Sequence, residues 1–167
     1  MKIPQEYPQF EEKNTLLVVM GTNHGIIYQA KDGTLEKIDE LLVEEPEYSD
    51  NEGMFKRGGG DQTTYGSVLE SKKEEYQKRF SKDLAEKVLD LSKKGNLEQI
   101  YLFYPKMMSH LVEEDWNENL KKIILVKFDG NYTKESPTEL LEKIKNKREN
   151  DDKKDPEGEA KEILEKF

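Results

Sequence analysis

The fold is decided by the stretch Thr15-Leu16-Leu17-Val18-Val19-Met20, a short apolar run without a charged residue. Strands that are covered on both faces of a sheet are apolar throughout, whereas half-exposed strands alternate apolar and polar residues. The run therefore predicts a central strand. Turn residues follow it (Gly21-Thr22-Asn23-His24-Gly25), and a second strand, Ile26 to Ala30, is predicted to return beside the first.

An antiparallel meander is predicted from the next turn. Asp32-Gly33 is the pair that a two-residue hairpin prefers, because both central residues of such a turn adopt positive φ. A third strand, Leu35 to Val43, is predicted after it, although Glu36, Asp39 and Glu40 interrupt its apolar pattern. The first three strands are therefore expected to form consecutive hairpins.

Helices and parallel strands are predicted in the second half of the chain. A helix from Ser67 to Lys94 is indicated by apolar residues that recur at helical spacing: Leu69, Tyr76, Phe80, Leu84, Val88 and Leu91. A fourth strand, Leu97 to Phe103, is followed by a helix that opens at Pro105 and carries Met107, Met108 and later apolar residues as far as Leu120. A fifth strand, Ile123 to Phe128, comes next. Strand, helix and strand at this spacing form a crossover unit, so the fourth and fifth strands are expected to be parallel.

The end of the chain contains one more predicted helix. Ser136-Pro137-Thr138-Glu139 combines a capping box with proline in the first turn. Beyond Lys145 the residues Asn146 to Glu162 are almost all charged or polar, which is typical of a solvated linker, and a short helix is predicted around 157–166. We therefore expect an irregular lead-in (1–14), one α/β domain (15–147) with a long loop at 44–66, and a charged tail (148–167).

Composition restricts the function. The chain has 167 residues, no cysteine and a formal net charge of -9, which excludes disulfides and thiolate chemistry and argues against nucleic-acid binding over the whole surface. Charge is unevenly distributed, however: residues 53–82 contain seven bases and four acids, a local excess of +3. No apolar run is long enough for a membrane span, and the first residues lack the apolar part of a signal peptide. A cytoplasmic protein without membrane contact is expected.

The loop between the two halves is the main candidate for function. It contains Met54-Phe55-Lys56-Arg57-Gly58-Gly59-Gly60-Asp61-Gln62 and leads into the first helix. Glycines allow backbone N–H groups to approach an anion, but the lysine of a nucleotide-binding P-loop is missing. Two interpretations stay open: a loop that contacts a partner, and a linker with no ligand.

Other candidate chemistry has little support in the sequence. His24 and His110 have no second histidine or cysteine at metal spacing, so structural or solvent-exposed roles are expected for both. The acidic runs Glu113-Glu114-Asp115 and Asp151-Asp152 resemble solvated charge, and no Gly-x-Ser-x-Gly elbow is present. We expect neither a metal nor a cofactor.

The order of elements resembles a known domain. The points of similarity are Leu16 to Val19 opening the sheet, the loop Lys56 to Gln62 before the long helix, the strand Ile100 to Phe103 before the next helix, and the stretch Tyr132 to Leu141. Together they resemble the middle domain of archaeal and eukaryotic class I peptide release factors and of Pelota, and most closely the bacterial single-domain host attachment proteins. The resemblance covers about Thr15 to Lys147. It implies a five-stranded mixed sheet of ribonuclease H-like topology, flanked by helices.

The resemblance also implies a function. In release factors the corresponding loop carries Gly-Gly-Gln, which enters the peptidyl transferase centre and positions water against the peptidyl-tRNA ester. Here the nearest match is Gly59-Gly60-Asp61-Gln62, so Gln62 is the catalytic candidate, and the inserted aspartate disfavours hydrolysis because small displacements at a reacting centre cost much of the rate. The residues expected to contact RNA are Lys56, Arg57, Gly58, Gly59, Gly60, Gln62, Lys72 and Lys73.

Three functional hypotheses follow. The first is a ribosome-associated protein of rescue or dormancy that presents the loop toward tRNA or the catalytic RNA. The second is a non-enzymatic module with a disordered loop and a protein partner. The acidic body and the charged tail favour this hypothesis. The third is peptidyl-tRNA hydrolysis that depends on Gln62.

Overall fold

The computed structural model describes residues 1–44 and 64–153, with side chains in the second range described from residue 70. The loop residues Lys56 to Gln62 and the short helix predicted around 157–166 lie outside the described residues. The elements in chain order are β1 (Thr15–Met20), β2 (His24–Lys31), β3 (Thr34–Leu42), α1 (Thr64–Gly95), β4 (Gln99–Tyr104), a 3₁₀ turn (Lys106–Met108), α2 (Ser109–Asp115), α3 (Glu118–Ile123), β5 (Ile124–Asp129) and α4 (Pro137–Asp152).

The strands form one mixed sheet in the order β3-β2-β1-β4-β5. β2 pairs antiparallel with both β1 and β3, whereas β1 pairs parallel with β4, and β4 pairs parallel with β5. The antiparallel meander and the parallel crossover predicted from the sequence are both confirmed. Only β2 runs against the other four strands, which is the predicted ribonuclease H-like topology.

β1 is central because both faces of the sheet are covered. All six of its residues are buried. Leu16, Val18 and Met20 pack with α1, α2 and α3 in one apolar cluster, while Leu17 and Val19 pack with α4 and the lead-in in a second. Coverage on both faces explains why the strand has no charged residue and only Thr15 as a polar one.

Two local features that the sequence predicted, a hairpin turn and a helix cap, are present in the structure. Asp32 and Gly33 have φ angles of 46° and 74°, as expected for the hairpin between β2 and β3. The capping box at Ser136 is also present, since its hydroxyl accepts from the Glu139 N–H and the Glu139 carboxylate accepts from the Ser136 N–H. Both predictions are confirmed.

The single helix predicted from Pro105 to Leu120 is wrong. The chain forms a 3₁₀ turn and two short helices, and it becomes extended at Trp116 (φ -83°, ψ 127°). The Asn117 side chain then accepts a 2.8 Å hydrogen bond from the Leu120 N–H and begins α3. Of the two methionines that begin this segment, Met108 is buried, whereas Met107 is 56% exposed.

The two terminal regions are more ordered than the sequence indicated. Ile3 and Phe10 of the lead-in are buried, and the Ile3 N–H donates to the Gly33 carbonyl at 2.8 Å. α4 continues to Asp152, whereas a linker was predicted from Asn146. Within this extension Arg148 donates to the Tyr101 hydroxyl from Nε at 3.0 Å and from Nη2 at 2.6 Å, which attaches the last turns of the helix to the sheet.

Candidate functional site

One edge of the sheet collects the carboxyl ends of four strands. β1, β3, β4 and β5 run in the same direction, so Met20, Leu42, Tyr104 and Asp129 end at this edge, which we call the carboxyl edge. The connections diverge at β1, because β2 lies on one side of it and β4 on the other. Open α/β sheets bind ligands outside the carboxyl ends of their strands at such a switch point.

The residues before the long loop are fixed to the carboxyl edge. Val43 donates its N–H to the Asn23 carbonyl at 2.8 Å, and the Asn23 side-chain amide donates to the Val43 carbonyl at 3.3 Å. The turn after β1 is itself closed by a 2.7 Å hydrogen bond from the Gly21 N–H to the His24 carbonyl. The chain therefore leaves β3 for the loop at a defined position.

The helix after the loop crosses one face of the sheet from the carboxyl edge to the opposite edge. Phe80 and Leu84 pack against Gly25, where a methyl group would lie 3.2 Å from Phe80 Cζ and 3.1 Å from Leu84 Cδ1. Gly25 pairs with Met20, the last residue of β1. At the far end of the helix, Asn14 donates its side-chain amide to the Gly95 carbonyl just before β1 begins. Residues of α1 that precede Phe80 consequently lie beyond the carboxyl edge.

The part of α1 beyond this edge is exposed. The six residues from Glu70 to Glu75 are all exposed, and we call them the exposed start of α1. Tyr76 is half-buried and Gln77 is buried, so packing against the body begins there. At 1.5 Å per residue, position 70 is about 15 Å beyond position 80. Two of the predicted RNA-contacting residues, Lys72 and Lys73, thus project from the same edge at which the loop leaves β3.

An ion-pair cluster lies beside the turn after β1. His24 Nε2 lies 2.6 Å from Glu40 Oε1, and Lys37 Nζ donates to Glu40 Oε2 at 2.8 Å. The hydrogen bond from Lys37, followed by the one with His24, lowers the pKa of the Glu40 carboxyl below its usual value. His24 therefore has a carboxylate partner. Within residues 1–44 and 64–153 no group of three histidine, aspartate or glutamate side chains is arranged to hold a metal ion.

A second set of turn residues forms the other side of the carboxyl edge. Asn131 Oδ1 accepts from the Thr133 hydroxyl at 2.8 Å, and a methyl group at Gly21 would lie 3.0 Å from Thr133 Cγ2. The turns after β1 and β5 are therefore in close contact. Asn131 and Thr133 were not among the site residues predicted from the sequence. The signal in the sequence is that polar turn residues directly follow two predicted strands, at Gly21 to Asn23 after β1 and at Asn131 to Thr133 after β5.

The predicted catalytic and glycine residues of the loop, from Lys56 to Gln62, lie outside the described residues. Their relation to Lys72 and Lys73 stays a prediction. His110, the other histidine considered, is exposed on α2 and lies at the rim of a hollow between α1 and α2.

Residues 28–144 match the family described as "Protein required for attachment to host cells". The chain belongs to this host attachment family. The matched range begins in β2 and ends in α4, so it includes the ends of β3, β4 and β5 at the carboxyl edge, the long loop and all of α1, whereas β1 precedes it. The resemblance to this family that the sequence indicated is confirmed.

Two solved structures are similar to the chain. One is the archaeal translation termination factor aRF1, at 18% identity and a TM-score of 0.45, covering 86% of this chain and 41% of that chain. The other is described as an archaeal protein, at 16% identity and a TM-score of 0.42, covering 86% of this chain and 40% of that chain. The chain thus spans about two fifths of either structure. No curated protein matches it in sequence. Among the described helices, none is both long and apolar enough to cross a membrane.

Proposed function

We propose that this host attachment family member is a ribosome-associated protein of rescue or dormancy. In this proposal the carboxyl edge presents the loop 44–66 and the exposed start of α1 toward tRNA or the peptidyl transferase centre. The observation that carries the proposal is that residues 70–75 are all exposed beyond the sheet, on a helix that packs against the body from Gln77 onward. A rigid, exposed helical extension next to a glycine-rich basic loop is suited to reaching into a recessed site.

Charge supports an RNA partner at this position. Between residues 70 and 82 the helix has five bases (Lys72, Lys73, Lys78, Arg79 and Lys82) and three acids (Glu70, Glu74 and Glu75), an excess of +2. Lys56 and Arg57 add two more bases in the adjacent loop, while the whole chain carries -9. Phosphate contacts require lysine and arginine, and an acidic body is repelled by RNA. The molecule would therefore approach RNA with this end first.

Ribosome co-sedimentation tests the proposal. We expect the wild-type chain to sediment with ribosomes at moderate salt and to lose this binding when residues 58–62 are deleted or when Lys56 and Arg57 are changed to glutamate. A matched control is Lys2→Glu with Lys31→Glu, because both lysines are exposed near the opposite end of the β2–β3 hairpin and the charge change is the same. Absence of co-sedimentation at low salt would refute the proposal.

A hydrolytic activity is a separate question within the same proposal. Asp61 separates Gln62 from the glycines, so we expect ribosome binding without efficient ester cleavage. To test this, the rate of peptide release from peptidyl-tRNA on ribosomes is measured for the wild type and for Gln62→Ala. Cleavage that disappears in Gln62→Ala would make the chain a hydrolase, whereas an equal rate in both proteins would exclude a role for this side chain.

The alternative function is a non-enzymatic module that binds a protein. The net charge of -9 favours it, as does the family's description as required for attachment to host cells, which concerns a protein or a cell surface and no RNA. A pull-down with the intact chain distinguishes the two functions. Recovery of a protein partner without ribosomal RNA favours the alternative, and recovery of ribosomal RNA that is lost in the loop deletion favours the first proposal.

A further inference from the structure

A groove lies between α1 and the segment formed by α2 and α3, on the sheet face opposite α4. It consists of two neighbouring hollows of about 440 Å³ and 260 Å³. The first is lined by Gln77 from α1 and by Met107 and Leu111 from the other side, and the second by Ala85 and Leu89 of α1 opposite Asp115. Glu114 lines both hollows, so they form one continuous feature, which we call the α1–α2 groove.

Buried polar atoms without hydrogen-bond partners are concentrated on the helices that form this groove. Among the described residues, four of the five such atoms are Gln77 Nε2 and Ser81 Oγ on α1, and Asp115 Oδ2 and Trp116 Nε1 on the other side; the fifth, Glu135 Oε2, does not line the groove. Gln77 is 7% exposed, Ser81 0% and Trp116 2%. A buried donor or acceptor without a partner costs free energy, and native structures contain few of them. Gln77 and Asp115 line the hollows directly, so a bound molecule that fills the groove can supply the missing partners.

The charge and polarity of the groove select the kind of ligand. Its lining contains four acids (Glu74, Glu86, Glu114 and Asp115) and two bases (Lys78 and Lys82), a net charge of -2. Lys78 Nζ is already 3.9 Å from Glu114 Oε2. Apolar surface lies between the charges, because Met107 is 56% exposed at the rim and Leu111 lines the interior. Such a lining favours a cationic ligand with an apolar part and disfavours a nucleic acid.

We propose that the α1–α2 groove binds a basic polypeptide segment with an apolar anchor residue, contributed by another protein. The anchor side chain packs against Met107 and Leu111, a lysine or arginine of the segment pairs with Glu114, and a main-chain carbonyl accepts a hydrogen bond from Gln77 Nε2. The charge complementarity of the lining and the unpartnered buried donors together carry this assignment. Glu74, Lys78 and Lys82 line the groove and also lie in the helix range whose charge supports RNA binding. The predicted RNA contacts Lys72 and Lys73 do not line the groove, so the two binding events are tested with different variants.

The single tryptophan makes the groove directly observable. Trp116 is the only tryptophan of the chain and follows the groove residue Asp115. In ¹⁵N-labelled full-length protein its indole N–H therefore gives one resolved signal. The probes are a set of heptapeptides composed of lysine, arginine, leucine and isoleucine, and the same set with glutamate and aspartate replacing the bases. We expect saturable shifts of the indole signal with basic peptides only. No shift with any basic peptide at millimolar concentration would overturn the proposal.

Two variants connect the binding to the groove. Glu114→Lys is expected to weaken binding of the tightest basic peptide by about tenfold or more, since the side chain that faces the basic ligand changes from negative to positive. Glu142→Lys is its matched control, because Glu142 is exposed on α4 at the other face of the sheet. Equal affinity for both variants would overturn the assignment.

Gln77→Met tests the buried donor. Methionine has a similar length and removes an unpartnered amide, so the melting temperature should stay the same or rise while peptide affinity falls about tenfold. An unchanged affinity together with an unchanged melting temperature would remove Gln77 from the proposed contact. A lower melting temperature would show that the amide is satisfied within the fold, which contradicts the proposal.

Discussion

The two ends of α1 have opposite surroundings. From Phe80 onward the helix buries Leu84 and Val88 completely, whereas residues 70–75 are all exposed. β1, which the helix crosses, has six residues and is about 20 Å long, while 32 helical residues span about 48 Å. The helix is therefore much longer than covering the sheet requires. The difference shows that the packed end of α1 belongs to the fold, whereas the exposed end presents its side chains to solvent.

The largest effect that distinguishes the two ends is expected from Leu84→Ala. Leu84 has no exposed surface, so the truncation leaves a cavity and should lower the free energy of unfolding by about 2–5 kcal/mol. The matched change in the exposed start, Glu75→Ala, should alter it by less than about 0.5 kcal/mol. Urea denaturation followed by circular dichroism measures both. A similar cost for both variants would show that the exposed start is packed after all.

A smaller effect is expected where the packed end begins. Gly25→Ala places a methyl group 3.1 Å from Leu84 Cδ1 and 3.2 Å from Phe80 Cζ. The buried Leu84 and Phe80 side chains must give way by a few tenths of an ångström inside a packed core, which should cost about 1–3 kcal/mol in unfolding free energy. Adding Leu84→Ala in the same chain should relieve part of this cost, because the clashing atoms are removed. Strict additivity of the two changes would contradict the contact between β2 and α1.

The smallest effect is expected from the ion pair that joins β3 to the packed end. Lys87 Nζ lies 2.8 Å from Asp39 Oδ2, and this hydrogen bond lowers the pKa of the Asp39 carboxyl. Because this pKa is lower in the folded state than in the unfolded state, the ion pair stabilises the protein at pH values above about 4, the usual aspartate pKa. This stabilisation disappears as the pH falls through the folded-state pKa. Because both side chains are about one third exposed, Asp39→Asn should cost only about 0.5 kcal/mol at pH 7.

The pH dependence identifies the mechanism for this pair. The stability difference between the wild type and Asp39→Asn should shrink to zero as the pH is lowered below the ordinary aspartate range, because the carboxyl is then protonated in both folded and unfolded states. Chemical denaturation at pH 7 and at about pH 3 provides the comparison. A difference that persists at the lower pH would mean that the cost comes from packing and not from charge.

Local sequence was sufficient to predict most of the fold. The uninterrupted apolar run from Thr15 to Met20 identified the central strand, Asp32-Gly33 identified the hairpin, and Ser136 with Glu139 identified the start of α4. Each depends on interactions within a few residues or on a burial pattern with one simple explanation. The break between α2 and α3 could not be predicted in this way, since the apolar spacing from Met107 to Leu120 is also consistent with one helix. Only the Asn117 cap, an interaction of one side chain, indicates the break.

Less of the candidate site could be predicted. The sequence predicted contacts by the loop and by Lys72 and Lys73, and these stay predictions, whereas the arrangement of the carboxyl edge arises from strand direction and from contacts between distant residues. The hydrogen bonds between Asn23 and Val43 join residues 20 positions apart. The close approach of Gly21 and Thr133 joins opposite halves of the chain. Arg148 was assigned to a charged tail, but it donates to the Tyr101 hydroxyl. This contact too joins residues that are distant in the sequence, so local sequence could not predict it.

The most direct test of the central claim compares two lysine pairs on the same helix. Lys72 and Lys73 lie in the exposed start of α1, while Lys93 and Lys94 are exposed in its last turn. Co-sedimentation with ribosomes is measured over a salt series for Lys72→Glu with Lys73→Glu and for Lys93→Glu with Lys94→Glu. We predict that the first pair lowers ribosome affinity at least about tenfold and reduces the salt slope by about 2, and that the second pair behaves as the wild type. Equal affinities for the two double variants would contradict the claim that the exposed start of α1 contacts RNA.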